Sequence, residues 1–258
     1  MNFLIAYPSV PCVFVLVIAM AVRWFAVPSD QRRTEWMLVV ASLALPVNAV
    51  AEWCANQLDR IRPLKYDLYV YRIDALLGQP SFAIGKVVEH HSSLKILVSV
   101  SYGLLAIMIP LTFAAYLWLA SEAETLVLVR AFLLDFFLAV PVYLFIPVCG
   151  PAFAFPDFPF NGQQNILLHP IRIAAAPNGI PSVHMASALL IFWFLRRWRW
   201  GLVTGAGFAA LTAFATLGSG QHYLVDLICA VPYSAVIYRI SRQKALTPAV
   251  SRIFHAAS

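Results

Sequence analysis

Long apolar runs separated by short polar segments dominate this chain of 258 residues. A helix that crosses a bilayer needs about 20 mostly apolar residues. Runs of this kind predict seven spans, at residues 5–27, 35–56, 94–119, 127–149, 183–198, 201–220 and 222–241. The sequence therefore predicts an all-α fold, a polytopic transmembrane bundle of about six to seven spanning helices.

The longest polar interruption, residues 57–93, contains a helical pattern of its own. Within it, residues 67–77 mix aromatic, aliphatic and charged side chains, and the pattern breaks at Gly78. Such a mixture is typical of an amphipathic segment lying in the membrane interface. A helix that merely covers the bundle has the same pattern, so both interpretations stay open.

Composition agrees with a membrane protein. Hydrophobic residues make up 61% of the chain and charged residues 12%, whereas a soluble domain carries about 25% charged residues. No polar stretch is long enough to form a separate soluble domain. We therefore predict a single integral membrane domain over residues 1–258, in which 57–93 is an interfacial loop and about 94–241 the functional core.

The net charge of +6 comes from Lys and Arg in short loops beside the apolar runs. That placement favours contact with anionic headgroups, and we expect no nucleic-acid partner. Eleven basic residues fall on the face that holds the 120–126 turn and seven on the other face. The positive-inside rule makes the first face cytoplasmic, in a bacterial inner or plasma membrane.

Two short motifs open the fifth and seventh predicted spans on the extracytoplasmic face: Pro-Ser-Val-His at 181–184 and His-Tyr-Leu-Val-Asp at 222–226. On a helix, His222 and Asp226 would lie one turn apart on the same face. A carboxylate there fixes the imidazole tautomer and leaves the other nitrogen as a nucleophile. His184 is placed to protonate a leaving oxygen. These are the groups that phosphoryl transfer through a phosphohistidine requires.

The same motifs have a second use to be weighed. Two histidines and one aspartate supply three zinc ligands, but no fourth ligand is evident, so we predict no metal and no cofactor. Ser182 is predicted to N-cap the helix that carries His184. The backbone N–H groups that follow an N-cap attract phosphate.

The two motifs resemble the second and third motifs of the type 2 phosphatidic acid phosphatase superfamily. Their Pro-Ser-x-His-Met-Ala and His-Tyr-x-x-Asp forms are most similar to the inositol phosphorylceramide synthase-like, or inositolphosphotransferase-like, branch. The resemblance covers roughly residues 127–241, and more weakly the 67–81 loop. It implies a six-helix core and chemistry without metal, with His222 as nucleophile, Asp226 as its partner and His184 as general acid.

Three cations that the family uses to hold phosphate are missing. The family's first motif is a Lys, six residues, then Arg-Pro, and here Tyr143 and Gly150 stand in place of its Lys and Arg. Ala215 and Thr216 replace the Ser-Arg that opens its third motif. Cationic clamps are a main source of transition-state stabilisation in phosphoryl transfer. The candidate substitutes for phosphate binding are Ser182, Tyr143, Asn178, Arg172 and His169.

We therefore expect an integral membrane lipid phosphotransferase or phosphatase. It would act on a lipid phosphate or phosphodiester at the extracytoplasmic face and pass the phosphoryl group to water or an acceptor alcohol. One alternative, favoured by the missing cations, is a catalytically inactive lipid-binding or scaffold protein of the same fold. Another is a transporter with a proton relay through Asp135 and Glu52, although these two more simply form hydrogen bonds between helices.

Overall fold

A computed structural model describes residues 9–160 and 166–243. The helices of this part are α1 (Ser9–Trp24), α2 (Gln31–Ile61), α3 (Asp67–Leu76), α4 (Pro80–His90), α5 (Ser92–Leu119), α6 (Glu122–Phe145), α7 (Pro151–Ala154), α8 (Val183–Leu195), α9 (Arg199–Gly218) and α10 (Leu224–Ser241). A 3₁₀ turn, Pro28–Asp30, joins α1 to α2. The two described strands, β1 (Leu64–Lys65) and β2 (Ile171–Arg172), pair antiparallel. The prediction of an all-α fold is confirmed.

Four of the described helices, α5, α6, α9 and α10, are long and apolar enough to cross a membrane, and α8 is a shorter apolar helix. This confirms a polytopic bundle. The predicted spans 5–27 and 35–56 overlap α1 and α2, which are not among these four helices, and residues 5–8 lie outside the described part. Several boundaries were misplaced, the largest error at a motif-bearing end being that of α6, which ends at Phe145 instead of 149. Pro147 lies just beyond that end, and proline has no N–H with which to continue a helix.

Helix α8 lies in the middle of the bundle, packed against α5, α6, α9 and α10. Its residues Ala186, Ala188, Leu190 and Ile191 are fully buried. Helix α9 approaches it closely, since a Cβ added at Gly205 would lie 3.0 Å from the Cα of Phe192.

Helices α8 and α10 run in the same direction. At their starts, the Ser182 N–H donates to the Asp226 carbonyl oxygen at 3.3 Å. Near their ends, the Trp193 indole N–H donates to Ser234 Oγ at 3.4 Å. Both predicted motifs therefore lie at one end of the bundle, which we call the histidine end. The other end, marked by Arg196, Arg197 and Arg242, we call the arginine end.

The segment predicted to be interfacial contains α3 and α4, which pack against α10 and α9 near the histidine end. Helix α3 ends before Gly78, whose φ of +84° fits glycine, so the predicted break at that residue is confirmed. In α3 the carboxylates of Asp67 and Asp74 are fully buried, whereas Ile73 and Leu76 are 51% and 81% exposed. This polarity is the reverse of a soluble amphipathic helix and suits a segment whose outer face meets lipid.

Candidate active site

His222 and Asp226 are in contact, but not through the helical spacing that the sequence suggested. Helix α10 begins at Leu224, so His222 lies in the loop before it. Asp226, in the first helical turn, reaches back. Its Oδ2 accepts the Tyr223 N–H at 2.8 Å and lies 3.3 Å from His222 Nδ1. The carboxylate therefore caps its own helix and holds the imidazole with the same oxygen.

This contact assigns the tautomer of His222. With the Nδ1–H donating to Asp226, the Nε2 lone pair stays available, and Nε2 has no hydrogen-bond partner among the described residues. The imidazole is enclosed: His222 is 3% exposed and Asp226 is fully buried. The imidazole therefore does not face an open aqueous pocket. A substrate must therefore be admitted to Nε2 through a closely packed surface.

The backbone of His222 is held on two sides. Its N–H donates to the Thr216 carbonyl oxygen at 3.3 Å. Its carbonyl oxygen accepts the Ser81 hydroxyl at 3.0 Å, which ties the loop to α4. Thr216 stands where the family has an arginine, and its own hydroxyl donates to the Thr212 carbonyl at 2.9 Å. This position is fully buried and supports the loop that carries the nucleophile candidate.

Asp74 of α3 caps the start of α10. Its Oδ1 accepts the N–H of Leu224 at 2.8 Å and of Val225 at 3.4 Å. Burial raises the pKa of Asp74 to about 6, against the opposing effect of these two bonds. The N-terminus of α10 is therefore already occupied by a carboxylate of the protein.

Asp67 holds the loop on the other side of the site. Its carboxylate accepts the N–H of Cys149 at 3.1 Å and of Gly150 at 2.8 Å, and the hydroxyl of Tyr223 at 3.3 Å. Burial raises the pKa of Asp67 to about 6 as well. Neither Asp67 nor Asp74 was predicted as a site residue. Their spacing of seven, two helical turns, was the signal that both face the same way.

Gly150 explains why one family cation is absent. Its φ is +137°, and a Cβ at this position would lie 2.2 Å from the Gln221 carbonyl oxygen. The neighbouring Ala152 N–H donates to the Gly220 carbonyl at 2.9 Å. The loop after α6 is therefore packed directly onto the loop that carries His222. An arginine at 150 would force these two loops apart.

Ser182 and His184 lie at the start of α8. Ser182 is the N-cap of α8, as predicted: its Oγ accepts the Met185 N–H at 3.3 Å. The His184 ring centroid lies 4.3 Å from that of Tyr102. The start of α8, which carries His184, contacts the start of α10 through the Ser182 N–H, which donates to the Asp226 carbonyl oxygen at 3.3 Å. The structure thus brings His184, His222 and Asp226 to the same end of the bundle.

The other candidate phosphate ligands lie in different settings. The Tyr143 hydroxyl donates to the Pro181 carbonyl at 3.0 Å, so it supports the motif from behind. Asn178, Arg172 and His169 are exposed. In the described part of the chain, none of their hydrogen bonds or strand contacts reaches the two histidines.

The residues raised for metal binding or proton relay are also placed. Within residues 9–160 and 166–243, no three His, Cys, Asp or Glu side chains form a group that could hold a metal ion. Asp135 accepts the Ser187 hydroxyl at 2.6 Å, and its carbonyl accepts the Tyr233 hydroxyl. Asp135 therefore forms hydrogen bonds between helices. The side chain of Glu52 lies outside what the structure describes.

A family model described as the PAP2 superfamily matches residues 68–240. The match begins in α3 and runs through both motifs to the end of α10, so it includes Asp74 as well as the two histidines and Asp226. It does not distinguish the inositol phosphorylceramide synthase-like branch. No curated protein and no solved structure matches the chain.

Proposed function

We propose, because the chain belongs to the PAP2 superfamily, that it is a membrane lipid phosphatase or phosphotransferase acting through a phosphohistidine on His222. Family membership supports phosphatase-type chemistry on lipid phosphates. The observation that carries the finer proposal is the His222 Nδ1 to Asp226 Oδ2 contact of 3.3 Å, which leaves Nε2 with no described partner. A buried imidazole held in this way is oriented for attack along one line.

In the first step, the Nε2 lone pair of His222 attacks phosphorus and forms a P–N bond. The P–O bond to the lipid alcohol breaks, and its electron pair stays on the leaving oxygen. The anionic phosphate bound beside His184 favours the protonated ring, which gives its proton to that oxygen, so the product leaves as an alcohol. Asp226 balances the positive charge that grows on the His222 ring while phosphorus is attached.

In the second step, water or an acceptor alcohol attacks phosphorus from the side that the first alcohol has left. The now neutral His184 takes a proton from the attacking oxygen, and the P–N bond breaks. His222 recovers its Nε2 lone pair and His184 its proton. Hydrolysis and transfer differ only in whether water or an alcohol enters.

The phosphate is held, in this proposal, by the first turn of α8. The first N–H groups of a helix have no partner within it, and they attract anions. At α8 the Met185 N–H already donates to Ser182 Oγ, which leaves the His184 N–H for the phosphate. His184 belongs to that turn, so the groups that bind the phosphate and the general acid are on one rigid element. Asp74 already occupies the equivalent position at the start of α10.

The substrate is proposed to be a lipid phosphodiester or a polyprenyl-type donor, and the chain is proposed to belong to the inositolphosphotransferase-like branch that its motifs resemble. Fewer cations at the histidine end should make a dianionic monoester a poor ligand. We therefore expect weak activity on p-nitrophenyl phosphate, and rapid hydrolysis of this ester would contradict the proposal. The extracytoplasmic orientation rests on the dense arginine turn at the opposite end.

The proposed mechanism has no step that requires a metal. Turnover should therefore survive extensive chelation. Loss of turnover with EDTA that zinc restores would show instead that the two histidines and Asp226 bind a metal.

The test compares His222→Ala and His184→Ala on one lipid donor and one aryl donor. His222→Ala should abolish turnover of both donors. His184→Ala should slow the lipid donor about 100-fold and the aryl donor much less, because an aryl oxide leaves without a proton. Thermal unfolding of each variant shows whether it is folded. Equal losses on both donors would exclude His184 as the acid.

A second candidate function is a non-catalytic lipid-binding or scaffold protein of the same fold. The observation that favours it is the charge at the histidine end, where Asp67, Asp74 and Asp226 are all buried and the positions of the family cations hold Tyr143, Gly150 and Thr216. If the wild-type protein and His222→Ala show the same activity on every donor, this second function is established.

A further inference from the structure

The arginine end contains a basic cleft that the proposed chemistry does not use. The cleft has a volume of about 420 Å³. It is lined by the ends of α5, α8 and α10, the start of α6 and the turn before α9, with side chains of Tyr116, Glu124, Trp193, Phe194, Arg196, Arg197, Tyr238 and Arg242. Three arginines and a single carboxylate give this lining an excess of positive charge.

Arg196 is not neutralised by a carboxylate of the described part of the chain. Its guanidinium lies over the Trp193 ring at 4.8 Å and the Tyr238 ring at 5.7 Å. No carboxylate of residues 9–160 or 166–243 forms an ion pair with it. The two rings hold the guanidinium in place by cation–π contact, while its N–H donors remain available to a ligand.

The other two arginines are oriented by neighbours in the same cleft. Arg242 donates to the Tyr238 hydroxyl at 2.7 Å, and its guanidinium lies 5.4 Å from that ring. Arg197 pairs with Glu124 at 2.5 Å. Arg196 and Arg242 therefore share Tyr238 as a support, and they carry the charge that Glu124 leaves unbalanced.

The chemistry of the cleft selects its ligand. Guanidinium groups bind phosphate oxygens through paired N–H bonds. A quaternary ammonium would need an open aromatic face, but guanidiniums already cover Trp193 and Tyr238. Aromatic residues and arginines of this kind are typical of the level at which lipid phosphates lie.

We infer that this cleft is a binding site for a phosphate group with net negative charge, contributed either by an anionic lipid headgroup or by free phosphate. Arg196 and Arg242 are its main ligands. The site lies at the opposite end of α8 and α10 from His184 and His222, so it binds without taking part in the chemistry.

The experiment uses native mass spectrometry of the full chain in detergent, titrated with phosphatidylglycerol or phosphatidylcholine. The double variant Arg196→Gln/Arg242→Gln removes the two proposed ligands. Arg199→Gln/Arg239→Gln is the matched control, because it removes the same charge from exposed residues at the same end that do not line the cleft. A second arm measures the protection of each protein against thermal unfolding by millimolar inorganic phosphate.

Wild type and the control pair should retain one phosphatidylglycerol in preference to phosphatidylcholine, and the cleft variant should bind it about tenfold more weakly. Protection by inorganic phosphate that the cleft variant loses would identify the phosphate group alone as sufficient. If inorganic phosphate protects none of the proteins while wild type still retains phosphatidylglycerol, the lipid headgroup is the ligand. Equal losses in both double variants, or retention by all three proteins, would overturn the inference.

Discussion

Buried carboxylates surround the starts of α8 and α10, whereas exposed arginines surround their ends, and the two sets of charges have different roles. At the histidine end, three carboxylates are fully buried, and each accepts backbone N–H groups of a loop or helix start. At the arginine end, the guanidiniums lie against aromatic rings and keep donors free. The proposed phosphoryl chemistry therefore lies at the end whose buried charges are carboxylates, away from the exposed arginines. The charges at this end fix geometry, whereas those at the other end are available to a ligand.

The strongest test of this contrast removes the charge of the Asp226 side chain and keeps its shape. Asp226→Asn retains an oxygen that can accept from His222 Nδ1, but it loses the charge that supports a positive ring. We expect turnover to fall by about 10²–10⁴, as in other catalytic histidines that lose a carboxylate partner. Steady-state turnover on a lipid donor measures this. A loss below about fivefold would mean that Asp226 only caps α10.

Gly150→Ala tests whether the two loops must touch. The added Cβ would lie 2.2 Å from the Gln221 carbonyl oxygen, so the loop carrying His222 must move. We expect a loss of about 2–4 kcal/mol in stability and at least about tenfold in turnover.

Gly207→Ala in α9 is the control for this substitution, since its Cβ would meet nothing within 4 Å. Replacing a helical glycine should raise stability by up to about 1 kcal/mol and leave turnover unchanged. Both variants behaving alike in thermal unfolding would contradict the loop contact.

Asp74 holds the start of α10, and two substitutions test this role. Asp74→Ala removes the oxygen that binds Leu224 and Val225, and we expect about tenfold lower turnover. Asp74→Asn keeps Oδ1, and its amide replaces Oδ2, which has no described partner. Turnover of this variant at neutral pH should therefore stay within about threefold of wild type.

The pKa of about 6 for Asp67 and Asp74 gives opposite trends for stability and turnover. Because burial raises these pKa values, ionisation costs folding free energy, and the contribution of both groups to stability is lost as pH rises through about 6. Turnover should increase over the same range through Asp67, because both of its oxygens accept N–H groups of the loop and protonation would remove one of these acceptors. Asp74→Asn should weaken the stability trend and leave the turnover trend in place. If stability and turnover both increased as pH rises through about 6, this assignment would be contradicted.

The smallest effect concerns Tyr143. Its hydroxyl donates to Pro181, so Tyr143→Phe removes one hydrogen bond behind the motif and should lower turnover only about twofold to fivefold. A hydroxyl that bound the phosphate directly would cost far more, about 100-fold. Turnover and Km on the lipid donor separate these outcomes, and a 100-fold loss would make Tyr143 a phosphate ligand.

Some of this arrangement could be predicted from the sequence, and some could not. Long apolar runs predict spans because the bilayer fixes their length, and His222 and Asp226 stand out because ionisable groups are costly there. The loop start of α10 could not be foreseen, since Asp226 caps the helix from inside it.

The roles of Asp67, Asp74 and Gly150 depend on contacts between distant segments. Asp74 meets Leu224 across 150 positions of the chain, and Asp67 meets Gly150 across 83. Acidic residues in an interfacial helix ordinarily face water, so their burial cannot be read from local pattern. The missing arginine was visible, but the packing that excludes it was not.

The most direct measurement is the trapping of a covalent intermediate. The protein is mixed with an activated donor labelled at phosphorus, then denatured in alkali, in which a phosphohistidine survives, and digested for mass spectrometry. We expect the label on His222 in wild type, more of it in His184→Ala because the second step is slowed, and none in His222→Ala. Label on another residue, or turnover by a folded His222→Ala protein, would contradict the role of His222.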